Sequence, residues 1–158
     1  MSRTKKTQIT AYIGYLVILS LSFGNHDCVG LYDGCTLLER MFYPFIHQNI
    51  FHAAINLMVL HQCRRCMPCG WHILLFYLIA VSYPFAGSTH IVGLSGVVYA
   101  YMGYIAPHVQ KKVKFNLTIL FYIAIGFVLP NMAIGVHLYC YILGLLWGYL
   151  NAPLCQDR

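Results

Sequence analysis

Apolar residues run along this chain in four long blocks, and the charged residues gather between them. Residues 7–26, 41–63, 66–110 and 115–156 contain no Asp, Glu, Lys or Arg. A helix that crosses a bilayer needs ~20 mostly apolar residues. The first two blocks hold one such helix each, and the last two hold two each. Pro84 and Pro130 divide the long blocks, where a helix breaker is expected. The pattern therefore predicts an all-α membrane protein, a single domain over 1–158, with transmembrane helices at about 9–24, 46–63, 71–86, 94–109, 115–130 and 133–151. The stretch after Phe23 lacks an A-x-A-like cleavage site, so the first block reads as a retained helix, not a signal peptide.

Composition and charge add an orientation. The chain is 59% hydrophobic and 9% charged, and six spans consume nearly all of it. That argues against a soluble enzyme or an appended soluble domain. Arg3, Lys5, Lys6, Arg64, Arg65, Lys111, Lys112, Lys114 and Arg158 fall on one side of such a bundle, and only Arg40 falls opposite. The positive-inside rule makes that side cytoplasmic, with both termini inside. The +6 net charge is then used for topology, and no nucleic-acid partner is expected. Asp27, Asp33 and Glu39 fall in the first outer loop, over 25–45. With its glycines and aromatics, that loop is expected to form a structured surface element.

Several polar residues interrupt the apolar blocks: His47, His52, Asn56, Ser95, Tyr99 and His137. Polar groups in such segments usually face a bundle interior or a water-filled cavity. His52 and Asn56 are four apart and share a helix face, as do Ser95 and Tyr99. Ser95 lies 16 residues before Lys111, and His137 lies 16 before Pro153, so straight helices bring the two to one level, with His52 in the same layer. Gly144 and Gly148 form a small-x-x-x-small pair that allows close helix approach.

The chemistry this set permits is acyl transfer. A serine hydroxyl needs an adjacent base, which His137 can supply. His52, Asn56 and the backbone N–H groups near Ser95 can donate to an oxyanion, and Gly93 and Gly96 allow close backbone approach. No Asp or Glu falls within a predicted helix, so the unit is a Ser–His dyad, with Tyr99 orienting the imidazole by stacking. Each residue also has a structural reading: Ser95 as a packing serine, His52–Asn56 as an interhelical hydrogen-bond pair, His137 as a helix cap. His26, His61, His72, His90 and His108 read as interfacial residues.

The cysteines are ambiguous. Cys63, Cys66 and Cys69 form C-x2-C-x2-C, which with His61 or His72 could hold zinc or an iron–sulfur cluster. A standard site needs four ligands and the loop is short, so reduced or acylated thiols are the preferred reading and no metal is expected. Cys28 and Cys35 would form a disulfide only in an oxidising compartment.

Three motifs together resemble the rhomboid intramembrane serine proteases. They are His47 to Asn56 as H-x4-H-x3-N, Gly93-Leu94-Ser95-Gly96 continuing to Tyr99 and Gly103, and His137 with Gly144 seven residues on. The resemblance covers essentially the whole chain and implies the minimal six-helix rhomboid-like core. It implies Ser95 as nucleophile and His137 as base, with an oxyanion hole from His52, Asn56 and the N–H groups of Leu94 and Ser95. Tyr99 would pack on His137, and His47 would support the first loop and the top of the second helix. It further implies an endopeptidase without metal or cofactor in a bacterial-type plasma membrane, its site opening to the outer face. Its substrates would be single-pass transmembrane proteins, cut near their outer ends. The fifth helix and the loop around Pro130 to Ala133 would act as the lateral gate and cap. Two features depart from the pattern. Cys140 stands where glycine is usual and would push the fourth and sixth helices apart. The tryptophan–arginine pair common in the family's first loop is absent, and Glu39-Arg40 lies near its position, one residue out of register. The competing readings are a catalytically silent relative that binds transmembrane helices and a small solute transporter.

Overall fold

The computed structural model describes residues 14–15, 17–18, 30–66, 71–85, 87–126 and 133–151. Within them the chain is all-helical. A short α1, Leu37–Phe42, runs into a 3-10 turn over Tyr43–Phe45. Then come α2, Ile50–Cys66; α3, His72–Val81; α4, Ser95–Ile105, extended by a 3-10 turn over Ala106–His108; α5, Lys112–Ile125; and α6, Ile134–Leu150.

Helix α4 is the centre of the bundle. Gly96, Val97, Val98, Ala100, Tyr101, Gly103, Tyr104 and Ile105 are all buried, so most of its circumference is covered. A helix that is apolar all round belongs in a core. It touches α2, α3 and α6, and the seam with α6 is the tightest. A Cβ on Gly144 would run into the Ala100 carbonyl, and one on Gly103 into the Tyr141 carbonyl. Small residues on both helices thus let the two backbones meet, and no larger side chain fits there.

The segment before α2 is also ordered by local chemistry. Thr36 and Glu39 form a reciprocal capping box at the start of α1. Leu31 and Ile91 exchange backbone hydrogen bonds of 2.8 and 3.0 Å, pinning this segment to the one that leads into α4. Arg40 donates from Nη1 to the carbonyls of Val81 (3.2 Å) and Tyr83 (2.7 Å) at the end of α3. A cation is well placed there, because the last carbonyls of a helix lack intrahelical partners. The expected structured loop over 25–45 is therefore seen from residue 30 onward, with Glu39 and Arg40 in separate jobs.

The expected six-span membrane bundle is not supported by the helices among the described residues. Among the described residues no helix is long and apolar enough to cross a membrane. The two longest, α2 and α6, have 17 residues, about 26 Å of rise against a hydrocarbon core of ~30 Å. Helix α2 also closes on Arg64 and Arg65. The spans expected over 71–86, 94–109 and 115–130 become helices of 10, 11 and 14 residues. The reason is that an uncharged stretch need not be helical throughout. Ser82 closes α3 two residues before Pro84, Pro107 sits in the 3-10 turn that ends α4, and Gly126 ends α5. The rhomboid-like transmembrane fold, the multi-pass and intramembrane descriptions, the cytoplasmic termini and the plasma-membrane location all depended on those spans and fall with them. The argument from the blocks against a soluble enzyme also loses its basis. Of the first expected span, residues 14–15 and 17–18 are helical, and the remainder lies outside the described residues. So does the expected cap from Pro130 up to residue 132.

Candidate active site

The site forms where the start of α4 meets the first turn of α6 and the N-terminal part of α2. Ser95 is the first residue of α4, so its hydroxyl stands beside backbone N–H groups that have no partner within the helix. His137, in the first turns of α6, is 4% exposed. Its Nε2 lies 2.8 Å from Ser95 Oγ. Tyr99, one turn along α4 from Ser95, stacks on the His137 ring with centroids 4.3 Å apart and planes at 22°. The ring is thus held on one face by an aromatic and at one nitrogen by the serine.

The other nitrogen is informative. His137 Nδ1 is buried and has no hydrogen-bond partner. With Nε2 accepting from the serine, Nδ1 carries the proton, and no carboxylate receives it. Burial, joined by the neighbouring His52, pushes the His137 pKa down to about 4. The imidazole is therefore neutral near pH 7, as a base must be before it accepts a proton.

Helix α2 supplies the opposite wall. Asn49 caps it, its Oδ1 accepting from the His52 N–H at 2.9 Å. One turn beyond His52, Asn56 is 7% exposed, and its Nδ2 donor has no partner. A buried donor left unpaired costs ~1–3 kcal/mol, and the i, i+4 spacing puts Asn56 on the face of α2 that carries His52. His52 packs edge-on to His47, with centroids 5.1 Å apart. Its pKa is lowered by burial, so it too is neutral near pH 7.

Gly93 joins these walls. Its φ is +113°, and a Cβ there would lie 2.7 Å from His52 Cε1. Both the conformation and the space demand glycine. Its N–H donates to the Tyr43 carbonyl at 3.0 Å. The next N–H, that of Leu94, donates to His47 Nε2 at 3.1 Å. Gly96 faces Ala80, Val136 and Cys140, whose Sγ lies 3.3 Å from where a Cβ would be. The fully buried Cys140 therefore fits against an opposing glycine, and Gly144 one turn below still meets Ala100. The side chain does not pry the helices apart.

Ser95, His137, Tyr99, His52, Asn56, His47, Gly93, Leu94 and Gly96 are thus brought into one region, and Gly144 lies in the seam beneath it. Two positioning residues escape the sequence reading. Asn49 carries a signal, an asparagine just before an apolar helix. Tyr43 carries none, because it acts through its carbonyl. Of the cysteine motif, Cys63 is buried and Cys66 exposed on α2, and Cys69 lies outside the described residues. Cys35 is a free thiol, and Cys28, its suggested partner, also lies outside them. No protein-family model matches the chain, and no match is found among curated proteins. The resemblance therefore rests on the residues themselves.

Proposed function

We propose that this protein is a serine endopeptidase in which Ser95 is the nucleophile and His137 the general base. The observation that carries the reading is the 2.8 Å Nε2–Oγ contact, made by a buried, neutral imidazole stacked on Tyr99. Ser95 Oγ attacks the carbonyl carbon of the scissile peptide while His137 Nε2 takes the hydroxyl proton. The carbonyl oxygen becomes an oxyanion, for which Asn56 Nδ2, His52 and N–H groups at the start of α4 are donors. The positive end of α4 also favours that charge. The intermediate collapses, the C–N bond breaks, and His137 hands its proton to the leaving amine. Water then attacks the acyl–Ser95 ester, giving one proton to His137, and the serine is restored with release of the acid. In place of an acidic partner, the Tyr99 stack and burial hold the ring.

The substrate class that the motif resemblance implies is a single-pass transmembrane protein, cut in a segment that unwinds readily. An extended segment exposes the carbonyl that a helix keeps hydrogen-bonded.

The test is covalent labelling of the folded protein with a fluorophosphonate, followed by peptide cleavage. Wild type is expected to label and to cleave. Ser95→Ala is expected to do neither, and His137→Ala to lose turnover by about 10⁴-fold or more, as when the base of a catalytic unit is removed. A folded wild type that never labels would favour a silent binder of apolar helices, and unchanged turnover in His137→Ala would sink the dyad.

A further inference from the structure

The turn that presents Ser95 is fastened by two successive backbone hydrogen bonds. Gly93 N–H goes to the Tyr43 carbonyl at 3.0 Å, and Leu94 N–H goes to His47 Nε2 at 3.1 Å. His47 is 2% exposed. Its ring is wedged against His52 and against Gly93, where a Cβ would lie 3.4 Å from its Cδ2. An amide N–H carries one proton. Committed to a nearby imidazole nitrogen, that proton is not also aimed at an oxyanion. The Ser95 N–H follows immediately, at the start of α4, where backbone donors lack intrahelical partners.

We propose that His47 is a positioning residue that holds the nucleophile turn through the Leu94 N–H, and that this bond withdraws Leu94 from the oxyanion hole, leaving Ser95 N–H, Asn56 and His52 as its donors. The proposal rests on the serine-hydrolase reading and narrows its oxyanion hole. It requires His47 to be neutral, with its proton on Nδ1, because only an unprotonated Nε2 accepts. Burial and the adjacent His52 hold the His47 pKa down to about 4, in keeping with that state.

A double-substitution cycle separates the two roles of Leu94. Replacing Leu94 by leucic acid turns its amide into an ester and deletes the N–H; His47→Leu deletes the acceptor. If the bond is purely positional, each change slows fluorophosphonate labelling by about 10–100-fold, as a misplaced nucleophile does, and the double variant is no slower than either single one. His47→Gln, whose Oε1 reaches toward the Nε2 position, recovers most of kcat with KM unchanged. Effects that multiply, with a loss of ~10²–10³ from the ester even in His47→Leu, would return Leu94 to the oxyanion hole and overturn the proposal.

A nitrogen-15 NMR measurement needs no activity. It is expected to show His47 protonated at Nδ1 only, and a Leu94 amide proton whose downfield position is lost in His47→Leu. A His47 protonated at Nε2 overturns the proposal even if His47→Leu does not fold. Wild type that fails to label while keeping this NMR signature would instead refute the hydrolase reading and leave the hydrogen bond standing.

Discussion

The seam between α4 and α6 and the outer face of α5 are both apolar, yet they are built on opposite plans. In the seam, backbone meets backbone at Gly103, Gly144 and Ala100, and the side chains around it are buried. Helix α5 buries Ile119 and Ile123 and turns Val113, Leu117, Phe121 and Tyr122 outward, where they line a shallow groove of about 550 Å³. Apolar content is therefore not what sets rigidity here. Residue size is: small residues let two helices share a surface, while large ones on α5 leave it held along one edge. The dyad straddles the seam, with Ser95 on α4 and His137 on α6. Its geometry follows from the packing below it, and α5 adds Ile119 and Ile123, against which Tyr99 packs.

The most severe way to break this contrast is to put a side chain into the seam. A Cβ on Gly144 meets the Ala100 carbonyl and backbone on the same residue, which no rotamer change can relieve. Gly144→Val is expected to lose about 3 kcal/mol or more, the upper range of overpacking, read as a lower denaturant midpoint. Any folded fraction should label about 100-fold more slowly, because the two halves of the dyad are driven apart. Leu117→Ala on α5 deletes as many heavy atoms as Gly144→Val adds, yet should change stability by only about 0.5 kcal/mol or less, as at other exposed sites. Equal effects from the two would refute the contrast.

A second experiment sharpens it at the site itself. An ordinary histidine base titrates near ~6.5, so its activity falls about tenfold between pH 7.5 and 5.5. His137 is buried by the seam and its pKa is pushed down to about 4. The labelling rate should change by less than about twofold over that interval. Stability carries the opposite mark. The unfolded chain takes up the His137 proton near ~6.5 while the folded chain refuses it until about 4. Folding stability therefore weakens as pH falls from about 6.5 toward 4. An acid limb centred near pH 6.5 would mean that His137 is solvated and that the seam does not shield it.

Parts of this arrangement were legible in the sequence, and the reason differs from part to part. His52 and Asn56 are four apart, as are Ser95 and Tyr99, so a helical period alone puts each pair on one face. Helices α2 and α6 fall close to the expected 46–63 and 133–151, because both stretches are continuous and free of proline. The other expected spans are shorter as helices, and among the described residues none is long and apolar enough to cross a membrane. Counting uncharged residues says how long a segment is, and it is blind to Pro107 and Gly126, which decide where a helix stops. The bonds that fasten the site were not legible at all. Arg40 reaches carbonyls 41 and 43 residues away, and His47 reaches the Leu94 N–H 47 residues away. A backbone group carries no sequence signature, so only the folded chain reveals that these partners meet.

The mildest test concerns the edge by which α5 is held. Tyr141 on α6 donates its hydroxyl to Asn116 Oδ1 on α5 at 2.6 Å, and this joins the two helices. Asn116 Nδ2 is meanwhile occupied by the Lys112 carbonyl at 2.7 Å. Tyr141→Phe deletes the bond without changing the buried ring and leaves the acceptor in a half-exposed position that water can reach. The expected loss is about 0.5–1.5 kcal/mol, that of one ordinary hydrogen bond. Amide exchange should rise along α5 and stay unchanged along α4, because the seam does not use this contact. Labelling at Ser95 should be unaffected. Faster exchange in α4 as well would show that α5 and the seam unfold as one unit, and the division drawn between them would have to be abandoned.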